Sequence, residues 1–155
     1  MNSTHLKQAY IIDLDGVVSH SEFREKFKEQ ADGGQFDWFN NMIPHFRANP
    51  WATGLVKALS HTYTIIFLTA RNESFRLDTV NWLHRHVGIS NFKLIMRDEE
   101  GASDYDIKRK LYLEKIRGKY NVLAAIDDKE EICKLWKELN IQALWLYENK
   151  ENNND

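Results

Sequence analysis

Ten residues near the amino terminus constrain the fold more than any other stretch: Ala9-Tyr10-Ile11-Ile12-Asp13-Leu14-Asp15-Gly16-Val17-Val18. An apolar run reaches Ile12, and carboxylates follow at positions 13 and 15. Such a run beside an acid pair and a glycine reads as a buried parallel strand ending in a functional loop. A strand interior has no water to solvate a charge. Asp13 and Asp15 therefore belong at the carboxyl end, where a cation or phosphate site offsets their cost. Gly16 lets the chain turn where a Cβ would be strained. A plain Asp-Gly turn would leave the same residues, so the reading needs support from the rest of the chain.

That support comes from an alternation that starts after residue 49. Asn49-Pro50 is a helix start, with Asn as N-cap and Pro at the first helical position, and Leu55, Val56 and Leu59 supply an apolar face. Tyr63 to Leu68 is a second buried strand running into Thr69-Ala70-Arg71-Asn72. A helix follows with Val80, Leu83 and Val87 on one face, closed by Gly88. Phe92 to Met96 is a third strand, and a helix is predicted over about 105–117. Val122 to Ile126 is a fourth strand, ending on Asp127-Asp128. Ile132, Leu135, Trp136 and Leu139 then recur at helical spacing before a fifth strand, Ile141 to Leu146. With the strand at about 9–14, this predicts an α/β fold. It is a Rossmann-like three-layer sandwich with a mainly parallel five-stranded sheet, covered on both faces.

Residues 19–49 break the pattern. They hold two candidate short helices, near 21–30 and 36–46, and are rich in aromatics at Phe36, Trp38, Phe39 and Phe46. They read as a satellite packing layer or as a small helical cap whose aromatics meet a substrate. At 155 residues the chain fits one domain, 1–155, with this insert as its cap. A net charge of −2 gives no field for gripping long nucleic acid without local contacts. The single cysteine, Cys133, excludes an intrachain disulfide and suits a reducing compartment. No apolar stretch approaches the roughly 18 residues of a membrane span. A cytoplasmic protein with no membrane partner is expected.

The polar residues gather where a parallel sheet collects ligands, at the carboxyl ends of strands. Asp13 and Asp15 follow strand one, Thr69 and Arg71 follow strand two, and Asp127 and Asp128 follow strand four. Lys108 lies near the start of the helix after strand three. Four carboxylates together repel unless a cation neutralises them, and hard oxygen ligands select Mg²⁺. Zinc is disfavoured, because the six histidines show no ligand spacing and there is one cysteine. A hydroxyl, a guanidinium and an ammonium are phosphate-binding groups. Carboxylates with Mg²⁺ beside such a cradle point to phosphoryl transfer. No Gly-x-x-x-x-Gly-Lys-Ser/Thr loop is present to support a nucleoside-triphosphate kinase.

Asp13-Leu14-Asp15-Gly16-Val17, Leu68-Thr69-Ala70-Arg71, Lys108 and Ile126-Asp127-Asp128 together resemble the four motifs of the haloacid dehalogenase superfamily of phosphohydrolases. They are most similar to the phosphatase domain of phage-type polynucleotide kinase-phosphatases. That domain has an arginine shortly after the first motif, matched by Arg24, and an Asp-x-x-x-Lys, matched by Asp104 to Lys108. It resembles Ser-Gly-Arg where this chain has Thr69-Ala70-Arg71, and the chain shows no kinase domain. The resemblance implies Asp13 as nucleophile, forming an aspartyl-phosphate, and Asp15 as the acid and base that protonates the leaving oxygen and then activates water. It implies Mg²⁺ held by Asp13, the main-chain carbonyl of Asp15, and Asp127 or Asp128. Thr69 and Lys108 would hold the transferred phosphoryl group, and Arg24 and Arg71 the substrate. Asp104 also reads as a plain helix N-cap, and Asp127 or Asp128 as a cap for the helix that follows.

The expected activity is a Mg²⁺-dependent phosphomonoesterase acting on nucleic-acid 3′-phosphate ends or nucleotides. A small-metabolite phosphatase of the same superfamily and a non-catalytic binding module on this fold are the alternatives.

Overall fold

The computed structural model describes residues 5–20 and 41–147. Arg24, Phe36, Trp38, Phe39 and most of the expected cap insert lie outside them. Five strands form one sheet: β1 (Lys7–Ile12), β2 (Thr64–Asn72), β3 (Lys93–Arg97), β4 (Tyr120–Asp127) and β5 (Ala143–Trp145). Among the described residues four helices connect them: α1 (Pro50–Ser60), α2 (Arg76–His86), α3 (Asp104–Lys115) and α4 (Glu130–Glu138). The strand order is β3-β2-β1-β4-β5, and every neighbouring pair is parallel.

Side-chain alternation builds the two faces. On β1, Ile12 packs into one cluster with Val56 of α1 and Leu83 of α2. Ile11, one residue earlier, packs into the other with Ile107 and Leu111 of α3 and Ile132 and Trp136 of α4. Ile65 and Phe67 of β2 join the first cluster, Ile66 and Leu68 the second. Such double-sided burial is why the strands read as continuous apolar runs rather than alternating ones. The result is the three-layer α/β sandwich that the sequence predicts.

The chain moves outward from β1 through β2 to β3, then returns across the sheet to place β4 on the other side of β1. The strand order therefore reverses between β1 and β4, and the crevice at that reversal is where open parallel sheets bind ligands.

Several local features differ from expectation. β5 is only Ala143–Trp145, shorter than the expected Ile141 to Leu146, and Leu55, expected on the apolar face of α1, is 41% exposed. β2 continues to Asn72 instead of ending at Leu68, because Thr69 and Arg71 are buried at 1% and 4% exposure and extend the strand with polar side chains. Residues Ile43–His45, inside the second predicted cap helix, form a single 3₁₀ turn with Pro44 in its first turn. Asn49 is the N-cap of α1, but its side chain donates to the carbonyl of Val17 at 3.0 Å. It ties α1 to the loop after β1 rather than capping its own helix. Gly88 closes α2 as expected, at φ +72°, with its N–H on the Leu83 carbonyl at 3.2 Å. Among the described residues, no helix is long and apolar enough to cross a membrane.

Candidate active site

The pleat that splits the core also aims the carboxylates. Ile11 and Ala125 face the α3/α4 layer, and Ile12 and Ile126 face the α1/α2 layer. The next residues, Asp13 and Asp127, therefore return to the α3/α4 side. β1 and β4 run in register, Ile12 beside Ile126, and the Asp13 N–H donates to the Ile126 carbonyl at 3.0 Å. Lys108, one turn into α3, faces the same side. Its ammonium lies 3.0 Å from Asp13 and 2.6 Å from Asp127. All three are nearly inaccessible, at 5%, 2% and 1% exposure for Asp13, Lys108 and Asp127.

Burial alone would lower the Lys108 pKa. The Asp127 and Asp13 carboxylates outweigh it and hold the ammonium above the ordinary lysine range. The lysine is thus a fixed positive charge between two fixed negative ones.

Asp128 completes a cluster. One carboxylate oxygen each from Asp13, Asp127 and Asp128 falls within 4.8 Å of the others. These are hard oxygen donors with no thiol or imidazole among them, which suits Mg²⁺ rather than zinc. Gly16 gives this cluster its room: its φ is +90°, and a Cβ there would collide with the Asp128 carboxylate. Asp127 serves twice, since its Oδ1 also accepts the Lys129 N–H at 3.1 Å just before α4. The N-cap position proper of that helix belongs to Lys129.

Asp15 is arranged differently. Its side chain meets Arg71, whose Nη2 and Nε donate to it at 2.6 and 2.9 Å. The guanidinium also donates to Thr79 at 3.3 Å and stacks over Phe46 at 5.4 Å. Ser19 donates to the same Asp15 carboxylate at 3.1 Å. A bidentate pair this buried fixes both position and orientation. Thr69 is buried at the same strand end, and its Oγ1 accepts the Arg71 N–H at 3.2 Å.

Of the predicted site residues, the structure joins Asp13, Lys108, Asp127 and Asp128 in one group. It joins Asp15 and Arg71 in a second, with Thr69 attached to it through the Arg71 backbone. Arg24 lies outside the described residues. Asp104 is not the α3 N-cap. Ser103 is, its Oγ accepting the Asp106 N–H of the first turn at 3.1 Å. Asp104 instead pairs with Arg97 at 2.7 Å and with Lys129. Its burial raises the carboxyl pKa, but Lys129 and the neighbouring cations more than reverse this and leave it lowered. Sequence reasoning found no role for Arg97 or Lys129. Arg97 directly ends β3 and Lys129 directly follows Asp128, and the strand-end rule could have marked both. Cys133 is a quiet buried thiol, its pKa pushed up to about 11 by burial.

A hollow of about 410 Å³ lies elsewhere, lined by Tyr112, Tyr120 and Ile141 among others. No carboxylate lines it, so it is not where the acid cluster acts.

A parallel α/β sheet with an acid cluster and a buried lysine at its reversal point defines a phosphatase of the haloacid dehalogenase type. The profile of the polynucleotide kinase PNKP phosphatase domain matches residues 7–150, and the chain belongs to that family. It is 30% identical over 141 residues to a protein of Autographa californica nuclear polyhedrosis virus named "Putative bifunctional polynucleotide kinase/RNA ligase", covering 89% of this chain and 19% of that protein. It superimposes on a chain of the Pnkp1/Rnl/Hen1 RNA repair complex with TM-score 0.75 and 26% identity, covering 94% of this chain and 44% of that one. A haloacid dehalogenase-like hydrolase from Streptococcus pneumoniae shares the fold, at TM-score 0.60 and 17% identity over 90% of this chain and 84% of that one. The chain thus spans less than half the length of the first two.

Proposed function

We propose that this chain is a Mg²⁺-dependent phosphomonoesterase acting on phosphorylated nucleic-acid ends, 3′-phosphates in particular, or on nucleotides. The observation that carries the reading is Lys108 held between Asp13 and Asp127 at the sheet's reversal point. A binding module has no need to bury a nucleophile-competent carboxylate against a fixed ammonium, since isolated buried charge is costly. Family membership supports the nucleic-acid substrate over a small metabolite.

Asp13, Asp127 and Asp128, with the Asp15 carbonyl, would hold the ion. Bound there, Mg²⁺ would neutralise charge on the phosphoryl oxygens. Asp13 attacks phosphorus through a carboxylate oxygen. The P–O bond to the leaving group breaks, and the phosphoryl group passes to Asp13 as an acyl phosphate. Lys108 and Thr69 stabilise the transferred group, the lysine through a charge that stays in place throughout. Asp15 would give a proton to the leaving oxygen and then take one from the water that releases phosphate, a role that requires its carboxylate to be freed from the two Arg71 hydrogen bonds that favour the ionised form. Arg71, expected to hold the substrate, is buried and engaged by Asp15 with two hydrogen bonds, and in this reading it orients that carboxylate instead. Arg24 and the aromatics Phe36, Trp38 and Phe39 belong to the same reading as substrate contacts on a cap over one domain, whereas Phe46 is a buried core residue beneath Arg71. A cytoplasmic setting suits the reading, since the lone thiol has no disulfide partner in the chain.

The test is a phosphate-release screen across 3′- and 5′-phosphorylated oligonucleotides, nucleotides and sugar phosphates. Phosphorylated ends or nucleotides are expected to be the best substrates. A strong preference for sugar phosphates would favour the metabolite alternative. EDTA is expected to remove the activity and added Mg²⁺ to restore it. A full rate after exhaustive chelation would exclude the metal role.

A further inference from the structure

The edge strand β5 and the residues just after it carry an exposed aromatic pair that the reaction does not use. Trp145 is 47% exposed and Tyr147 is 69% exposed. Their rings pack edge to face at 5.6 Å. Edge strands usually carry charged side chains or proline at such positions, to discourage pairing with another chain. Here the exposed residues are large and apolar, and Leu144 on the strand's other face adds to them at 43% exposure.

The pair sits at the catalytic end of the sheet. Trp145 lies in register with Asp127, and the Leu146 N–H donates to the Asp127 carbonyl at 2.9 Å. The Trp145 indole N–H donates to the Asp128 carbonyl at 3.1 Å. The indole is therefore anchored by its polar edge to Asp128, the clustered carboxylate directly after β4, while much of the ring stays in water. A ring held this way has lost most of its freedom before any ligand arrives, which lowers the cost of stacking on it. By contrast, the exposed Trp51, Leu55 and Leu77 lie on α1 and α2. None of them is tied to the acid cluster.

We infer that Trp145 and Tyr147 form a stacking platform for a nucleobase of the substrate strand, beside the phosphoryl site. This rests on the proposed nucleic-acid substrate and names the part of the chain that recognises it. Every base offers a π-face, so such a platform binds without demanding a particular sequence. Phosphate chemistry at Asp13 and base stacking at β5 would together favour a polynucleotide end over a compact phosphate ester.

The test uses the full chain with Mg²⁺ and two substrates: the phosphorylated single-stranded oligonucleotide that the wild type hydrolyses best, and glycerol phosphate, which has no ring. Tyr147→Ala makes none of the indole's hydrogen bonds and leaves the Asp128 anchor in place. It is expected to raise KM for the oligonucleotide about fivefold or more. Its kcat, and kcat/KM for glycerol phosphate, should stay within about twofold of wild type. Tyr147→Phe keeps the ring and should restore the KM. Trp145→Ala should raise it further. An unchanged oligonucleotide KM in Tyr147→Ala overturns the inference, as do equal losses on both substrates. A wild-type dimer that dissociates on Tyr147→Ala would assign the patch to a second copy and also overturn it.

If the wild type releases phosphate from neither substrate, the proposed activity has failed, and stacking is then read by binding alone. Unphosphorylated oligonucleotide should quench the wild-type tryptophan fluorescence, with about fivefold weaker affinity in Tyr147→Ala. Equal affinities would overturn the platform independently of catalysis.

Discussion

Asp13→Asn is expected to lower turnover by about 10⁴-fold or more while the chain stays folded. Asn is nearly the same size as Asp and keeps an oxygen that accepts from Lys108. The backbone N–H of residue 13 keeps its bond to the Ile126 carbonyl. The amide is a poor nucleophile toward phosphorus, so the covalent step is lost and little else. Steady-state kinetics on a phosphorylated oligonucleotide, with a urea titration alongside, would check both halves. A folded Asp13→Asn protein that hydrolyses at the wild-type rate would exclude Asp13 as nucleophile.

Lys108→Met should damage stability and activity together, and more than any surface lysine could. The ammonium is 2% exposed and serves Asp13 and Asp127 at once. Methionine fits the volume but leaves two buried carboxylates facing each other without their shared cation. Breaking a buried ion pair by removing one partner costs about 3–5 kcal/mol, and a denaturant midpoint measured in EDTA should register that loss. Turnover should fall about 10²–10³-fold, the scale of losing one preorganised electrostatic group. Mg²⁺ should recover part of the stability, because it would neutralise the same carboxylates. Wild-type stability and rate in Lys108→Met would show that the lysine is a passive core residue.

Much of this arrangement was legible because burial penalises charge so heavily. Asp13, Asp127 and Asp128 stand out at strand ends because an apolar run cannot continue through them, and parallel sheets gather their ligands there. Lys108 is harder to see. A lysine one turn into a helix is ordinarily solvated, and only its spacing from Asp104 and its position after β3 single it out. The sequence misleads where polar residues are buried with partners that local pattern does not reveal. Thr69 and Arg71 interrupt an apolar run, so β2 reads as ending at Leu68. In the fold they continue it, because Asp15, 56 residues away from Arg71, neutralises the guanidinium. Asp104 misleads in the opposite direction. Its place at a helix start suggests a cap, but Ser103 takes that position and Asp104 reaches Arg97 and Lys129. Trp145 reads only as part of the last strand and Tyr147 only as the residue after it, since nothing in a single sequence says which residues at a sheet edge stay in water.

The covalent role of Asp13 is tested most directly by a pre-steady-state burst in Asp15→Asn. Asp15 is expected to act twice, but an aryl phosphate with a good leaving group needs no proton for the first step. The variant should therefore load Asp13 quickly and clear it slowly. The substituted amide retains an oxygen that accepts from Arg71, which keeps the loop in place. The account predicts a burst of one equivalent of phenol per chain, a slow steady state after it, and a phosphoryl group on the acid-quenched peptide that contains Asp13. Linear turnover with no burst at an undiminished rate, or a phosphoryl group on any other residue, would contradict it.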